Sequence, residues 1–212
     1  MPRPGEGRIY TIDRKRLRPA GPQKKTGGTT MKEQEMIDLA LELGFANAAV
    51  MDTKDLIFMP SFRPLCAENL CGKYGVNYAC PPDCGTVEEM EARVRRWPRA
   101  LVLQTMWDID DPMDEAQTKP AKGGHNRMTR ELIDRADRPG LMVGSGGCSL
   151  CAPCAITEGK PCRFPDKRYS CMSAYCIFVQ EMAASCGMEY DCGPGVVAFF
   201  SMFCFDPENE VK

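Results

Sequence analysis

The stretch Gly146-Gly147-Cys148-Ser149-Leu150-Cys151-Ala152-Pro153-Cys154, followed by Lys160-Pro161-Cys162-Arg163, sets the reading of the whole chain. Its pattern is C-x2-C-x2-C-x7-C. Small and turn-forming residues between the first three cysteines let the backbone curl, so that three thiolates converge on one side of a tight loop. Cys162 then closes the site. Bacterial-type ferredoxins hold an iron–sulfur cube with a similar C-x2-C-x2-C run and a remote fourth cysteine. A structural zinc site more often uses two separated C-x2-C pairs. The spacing therefore favours a [4Fe–4S] cube, with Zn2+ as the alternative.

Outward from this loop, composition sets the class. The chain has 212 residues, 43% of them hydrophobic, enough for one ordinary domain or two small ones. A formal net charge of −2 gives no reason to expect a nucleic acid or an anionic membrane surface as partner. Cysteine is the outlier, at 13 residues. Met1-Pro2-Arg3-Pro4-Gly5 has no apolar run behind it, and no stretch approaches the ~20 apolar residues of a membrane span. A cytoplasmic address is expected, where thiols stay reduced and a cysteine-rich chain binds metal rather than forming disulfides. His125, in Lys122-Gly123-Gly124-His125-Asn126, reads as a loop or helix-start residue in a surface or capping position. No nucleophile elbow, P-loop or dinucleotide fingerprint is present, and no catalytic acid, base or nucleophile stands out.

Residues 1–29 are basic and rich in Pro and Gly, an arm ahead of a cysteine-rich metal-binding domain over 30–212. Thr30-x-x-Glu33 predicts a capping box, opening a helix whose apolar face is Met36, Ile37, Ala40 and Leu41, with Gly44 as its stop. Ala48–Met51 and Leu56–Met59 read as two short strands around an Asp52-Thr53-Lys54 turn. A second cysteine group follows: Cys66, Cys71, Cys80 and Cys84, spaced C-x4-C-x8-C-x3-C, with Pro81-Pro82 stiffening the exit from Cys80. Four cysteines in a loop of little regular structure are readily ordered by a crosslinking metal, so a second metal site is expected here.

Thr86-x-x-Glu89 opens a helix to about Trp97, with Met90 and Val94 facing inward. Ala100–Met106 is an apolar strand central to a sheet, and Asp108–Asp114 an acidic, solvated loop lacking the glycine and terminal glutamate of a calcium loop. Residues 126–137 read as a polar helix with Met128, Leu132 and Ile133 on one face, and Leu141–Val143 as a strand that delivers the chain into the first-described loop. Ser170 caps a helix to about Ser185, with Met172, Tyr175, Cys176, Val179, Met182 and Ala183 inside. On that helix Cys171 and Cys176 stand about 140° apart, which keeps them from serving one site. Met188–Cys192 and Val196–Phe205 read as a closing hairpin, with Cys186, Cys192 and Cys204 as packing thiols. This order of elements predicts an α/β or α+β fold: a single compact sheet with packed helices, and both cysteine loops at one end of it.

Two segments together carry a resemblance. One is Cys66 to Thr86, with Tyr74-Gly75, Cys80-Pro81-Pro82 and Gly85-Thr86. The other joins Cys148 to Cys154 with Pro161-Cys162-Arg163 and Ser170-Cys171-Met172-Ser173-Ala174-Tyr175. Over about residues 32–205 the chain resembles the domain-of-unknown-function 2284 family, described as predicted metal-binding proteins. The resemblance maps the family's ligand pattern onto Cys66, Cys71, Cys80, Cys148, Cys151, Cys154 and Cys162, and implies oxygen-sensitive clusters of the kind found in anaerobes. The chain departs from that pattern in carrying Asp83 where a His follows the two prolines, in adding Cys84, and in having Cys171 and Cys176.

The expected function is that of an iron–sulfur protein with one or two [4Fe–4S] clusters, in electron transfer or as a redox subunit of an anaerobic enzyme system, with a redox partner protein or larger complex. A zinc-stabilised interaction module and a metal- or cluster-trafficking factor are the alternatives. Without Cys84 as ligand, the group of Cys66, Cys71 and Cys80 leaves an iron with an open position, able to polarise a substrate as a Lewis acid.

Overall fold

The computed structural model describes residues 31–208, so the basic arm and the Thr30 cap lie outside the described residues. In chain order come α1 (Glu33–Leu43), β1 (Asn47–Asp52), α2 (Arg63–Ala67), α3 (Val87–Arg95), β2 (Arg99–Asp108), α4 (Glu115–Ala136), β3 (Gly140–Gly144), β4 (Ser170–Cys171), α5 (Val179–Ser185) and β5 (Val196–Phe205). The fold is mixed α/β. Among the described residues there is a single five-stranded sheet of order β1-β2-β5-β3-β4 and five α-helices. β2 runs antiparallel to β1 and to β5, β5 antiparallel to β3, and β3 parallel to β4.

Alternation along the long strands builds a core on each face. Leu101, Leu103, Phe203 and Phe205 meet Met36, Leu39, Ala40, Leu132 and Ala136 of α1 and α4. Ala100, Val102, Phe200, Met202 and Cys204 meet Met90 and Val94 of α3 and Met182 and Ala183 of α5 on the other side. Each large apolar side chain so enclosed contributes about 1.5–3 kcal/mol relative to exposure.

Several elements follow local sequence. Gly44 closes α1 with φ 100°. Thr86 caps α3 reciprocally: the Glu89 N–H donates to its hydroxyl at 3.2 Å, and the Thr86 N–H to Glu89 Oε2 at 3.0 Å. Met90 and Val94 face inward as expected.

Others differ from the sequence reading. Leu41 is 45% exposed, because Leu39 takes the inner position of α1. Residues 53–55 form a 3-10 turn, and Leu56–Met59 is no strand: Phe58 makes one bridge to Ile177, while β1 pairs with β2. α4 is capped by Asp114, whose carboxylate accepts the Ala116 N–H at 2.8 Å, and runs through Pro120 and Gly123-Gly124. Gly124 permits this, since its backbone lies against Trp107 where a Cβ would meet the ring at 3.0 Å. The expected helix from Ser170 divides into β4, a turn with Cys176 at φ 57°, and the short α5. The expected inner-face residues are buried or half-buried all the same. Met188–Cys192 is not a strand, because β5 is paired on both sides by β2 and β3.

Candidate metal centre

β3 aims the loop of Cys148, Cys151, Cys154 and Cys162, and α4 fixes where that loop leaves the sheet. The Asn126 carboxamide donates to the Ser145 carbonyl at 2.7 Å and accepts the Ser145 N–H at 2.9 Å. Tyr169, 1% exposed, holds the next turn: its Oη accepts the Ser149 N–H at 3.2 Å and lies 3.0 Å from Ser149 Oγ. Glycine is required at 144, where a Cβ would stand 2.5 Å from Tyr169 Cδ2 and 2.9 Å from Asn126 Oδ1. The Arg130 guanidinium covers the other part of the Tyr169 ring, 5.8 Å from its centroid. Past Cys154 a 3-10 turn over Ala155–Glu158 is pinned by Thr157 Oγ1, which donates to the Cys154 carbonyl at 2.8 Å. Arg163 donates to the Pro153 carbonyl at 3.0 Å and to Glu158 Oε1 at 2.9 Å, and its charge also faces the Cys151 thiol.

The four cysteines of this loop are half-buried. Burial pushes the Cys148 thiol up, against the N–H groups of Leu150 and Tyr169, with Cys151 and Cys162 adding to the rise. At Cys154 burial also raises, but it is outweighed by the N–H groups of Ile156, Tyr78 and Ala155 and by the Cys151 thiol, so that thiol lies below its ordinary range. Backbone donors pointed at a sulfur are what a metal-bound thiolate needs.

The other loop lies alongside. α2 carries Cys66, and the chain then turns through Cys71 to Cys80 and Cys84. Asn77, buried between the loops, donates to the Cys148 carbonyl at 2.9 Å while its Oδ1 accepts the Ala79 N–H at 3.0 Å. Tyr78 Oη donates to the Lys160 carbonyl at 2.9 Å. A Cβ on Gly147 would lie 3.2 Å from Cys80 Sγ. Burial drives the Cys80 thiol well above its usual range, reinforced by Cys171, Cys71, Cys84 and Cys66. Burial likewise raises Cys66, opposed by Arg63 and helped by Cys176, Cys71 and Cys84. Arg63 donates from Nη1 to Cys84 Sγ at 3.4 Å, whereas its buried Nε and Nη2 have no partner among the described residues. Pro64, Tyr74, Pro81, Pro82 and Thr86 line an open cleft of about 550 Å³ beside it.

The structure thus places the eight cysteines named from the sequence in two adjoining loops, while Cys171 pairs opposite Gly144 and Cys176 lies toward Arg63. The angular separation argued for that pair does not apply, since they lie on no helix. All 13 cysteines are free thiols. Among the described residues, no three Cys, His, Asp or Glu side chains are gathered as ligands of one metal ion. Cys204 is wholly buried in the core, and Cys186 packs beside Met51.

His125 is neither at the surface nor a cap. It is 0% exposed within α4, its Nδ1 2.8 Å from Thr105 Oγ1, which also accepts the Trp107 indole N–H at 2.8 Å. Its Nε2 has no hydrogen-bond partner among the described residues, and its ring meets Phe45 edge-on at 5.5 Å. Burial lowers its pKa to about 3, so it is neutral.

Asn77, Asn126, Tyr169 and Arg63 were not marked by the sequence. The partners of the first three lie 71, 19 and 20 positions away, and no local pattern signals them.

A family model described as "Predicted metal-binding protein (DUF2284)" matches residues 49–205, most of the chain and both cysteine loops. The chain belongs to that family. The family segment starts within β1, so α1 precedes it, although the resemblance was expected from about residue 32. No curated protein and no solved structure matches the chain. As a member of a predicted metal-binding family, it presents thiols as its obvious donors. Among the described residues no helix is long and apolar enough to cross a membrane.

Proposed function

We propose that this member of the family is an iron–sulfur protein of the cytoplasm, in which Cys148, Cys151, Cys154 and Cys162 hold a [4Fe–4S] cluster. A second centre is held by Cys66, Cys71 and Cys80, with Cys84 beside them in the same loop. The observation that carries this reading is the join between the two cysteine loops: the Asn77 side chain donates to the Cys148 carbonyl at 2.9 Å and the Tyr78 hydroxyl to the Lys160 carbonyl at 2.9 Å. Hydrogen bonds that fix the backbone around the ligands are what orient the thiolates of a metal centre.

When bound, a four-cysteine cube supplies one-electron transfer. The residues around it set the conditions. Arg163 places a positive charge at Cys151, which offsets the negative charge of a thiolate-bound cluster. Asn77 and Tyr169 hold the loop backbone, so that it changes little between oxidation states. Leu65, Leu70, Tyr74, Val76 and Phe164 are exposed on or near the cysteine loops and offer a redox partner protein an apolar contact.

The test is anaerobic purification followed by iron, acid-labile sulfide and zinc analysis. Brown protein with iron and sulfide, bleached by dithionite, is the expected result. Colourless protein with stoichiometric zinc overturns the reading in favour of a zinc-stabilised interaction module. Ready transfer of the cluster to an apo-acceptor would instead indicate a trafficking factor.

A further inference from the structure

Arg63 stands at the join of the loop that carries Cys66, Cys71, Cys80 and Cys84. It opens α2 three residues before Cys66, and positions three apart on a helix share a face. From there its Nη1 spans 21 positions of chain and donates to Cys84 Sγ at 3.4 Å. The Cys84 N–H donates to the Cys80 carbonyl at 3.0 Å, which folds Cys80 and Cys84 into one turn. Arg93 fixes that turn by another route, its Nη1 donating to the Cys84 carbonyl at 2.7 Å. Arg63 therefore ties the helix of Cys66 to the turn of Cys80 and Cys84, and it does so through a sulfur.

The rest of the guanidinium is unsatisfied. A guanidinium carries five N–H donors. Nε and Nη2 of Arg63 are buried, with no hydrogen-bond partner among the described residues. No carboxylate among the described residues forms an ion pair with it. Glu88 and Glu89 line the adjoining cleft with Arg63, yet neither pairs with it, and Glu89 Oε2 accepts the Thr86 N–H at 3.0 Å instead. A buried charge without a counter-charge is costly, and a neutral thiol is only a weak acceptor. A metal-bound thiolate or sulfide is an anion and accepts such bonds strongly. The orphaned donors thus fit a loop whose sulfurs hold metal.

We infer that Arg63 is a positioning residue of the centre in this loop: its guanidinium donates to Cys84 Sγ as a ligand, and to neighbouring sulfur of the same centre, and so raises the reduction potential there. This rests on the reading of that loop as a metal centre. A positive charge and N–H bonds to sulfur favour the reduced, more negative cluster.

The experiment uses the full chain, purified anaerobically in a Cys148→Ala background, so that the Cys66–Cys84 loop holds the remaining centre. Iron, sulfide and zinc are measured per chain, the midpoint potential by redox titration, and the fold by far-UV circular dichroism. Arg63→Met is expected to lower the potential by at least about 59 mV, a tenfold change in a one-electron equilibrium. Arg63→Lys, which keeps the charge but not the fork, is expected to lie between Arg63→Met and the Arg63 parent. Arg93→Met frees the Cys84 carbonyl and leaves its sulfur bonded, so it is expected to lower Tm with less than half of that shift in potential. An unchanged potential in Arg63→Met, or an equal shift in Arg93→Met, overturns the assignment.

If Arg63→Met holds no metal, Arg63→Lys decides, and a potential equal to the parent's overturns the assignment. If Cys148→Ala loses its fold, the same variants are compared with all cysteines present, where one of two potentials should move. A folded Cys148→Ala parent without metal overturns the reading of this loop as a centre, and the assignment with it. If that parent carries zinc and no sulfide, the iron–sulfur reading fails and chelator competition replaces the potential. Zinc affinity at least tenfold weaker in Arg63→Met then upholds the assignment, and equal affinity overturns it.

Discussion

The Asn77 side chain donates to the Cys148 carbonyl at 2.9 Å and so joins two cysteine loops that are 71 positions apart in the chain. The same carboxamide turns its oxygen back to the Ala79 N–H, one residue before Cys80. One side chain therefore fixes the first sulfur of one group relative to the third of the other.

Replacing Asn77 by Asp keeps the acceptor for Ala79 but removes the donor to Cys148. The expected cost is about 1–3 kcal/mol, since a buried carbonyl is left facing a carboxylate. Thermal unfolding under anaerobic conditions should show a lower Tm, and gel filtration should strip metal from both loops faster than from wild type. An unchanged Tm would show that the loops are held together by other contacts.

Tyr169→Phe removes only the hydroxyl that accepts the Ser149 N–H between Cys148 and Cys151. The ring and its contact with Arg130 remain. A loss of about 1 kcal/mol is expected. Metal release from the Cys148 loop should quicken, while a Cys148→Ala background shows no change at the other centre. Release rates followed by visible absorbance in both backgrounds check this.

Gly144→Ala is expected to be worse than its size suggests. The added methyl would stand 2.5 Å from Tyr169 Cδ2 and 2.9 Å from Asn126 Oδ1, displacing both residues that hold the loop. Overpacking of this kind costs about 1–3 kcal/mol. Chemical denaturation should show that loss, and metal content should fall with it. Full metal content in a destabilised variant would mean that the loop does not depend on Tyr169 and Asn126.

His125 makes stability depend on pH. Burial lowers its folded-state pKa to about 3 from a free value of 6.5, so between these limits the unfolded chain binds a proton that the folded chain refuses. This contribution is fully present above pH 6.5 and is lost as pH falls toward 3, at about 1.4 kcal/mol per pH unit. Urea unfolding of wild type and His125→Gln at pH 7, 5.5 and 4.5 should show a steeper loss in wild type. Equal slopes would assign the acid sensitivity to other groups.

The sequence by itself determined the elements whose signals are local. The Thr86–Glu89 capping box, the Gly44 stop and the apolar run of β2 each act within a few residues, and each is present in the fold. The grouping of the thiols by loop is equally local, because a short tether keeps Cys148, Cys151, Cys154 and Cys162 together whatever the rest of the chain does. What only the tertiary structure decided depends on contacts between distant segments. Packing on Trp107 carries α4 through Pro120 and the Gly123-Gly124 pair and encloses His125, against the helix propensity of those residues. Pairing on both edges gives β5 two partners far away in sequence, and pairing with β3 makes a strand of Ser170–Cys171. That last pairing sets Cys171 opposite Gly144, where the chain enters the Cys148 loop, which spacing along the chain cannot encode, because a sheet's hydrogen bonds ignore how much chain lies between the strands they join.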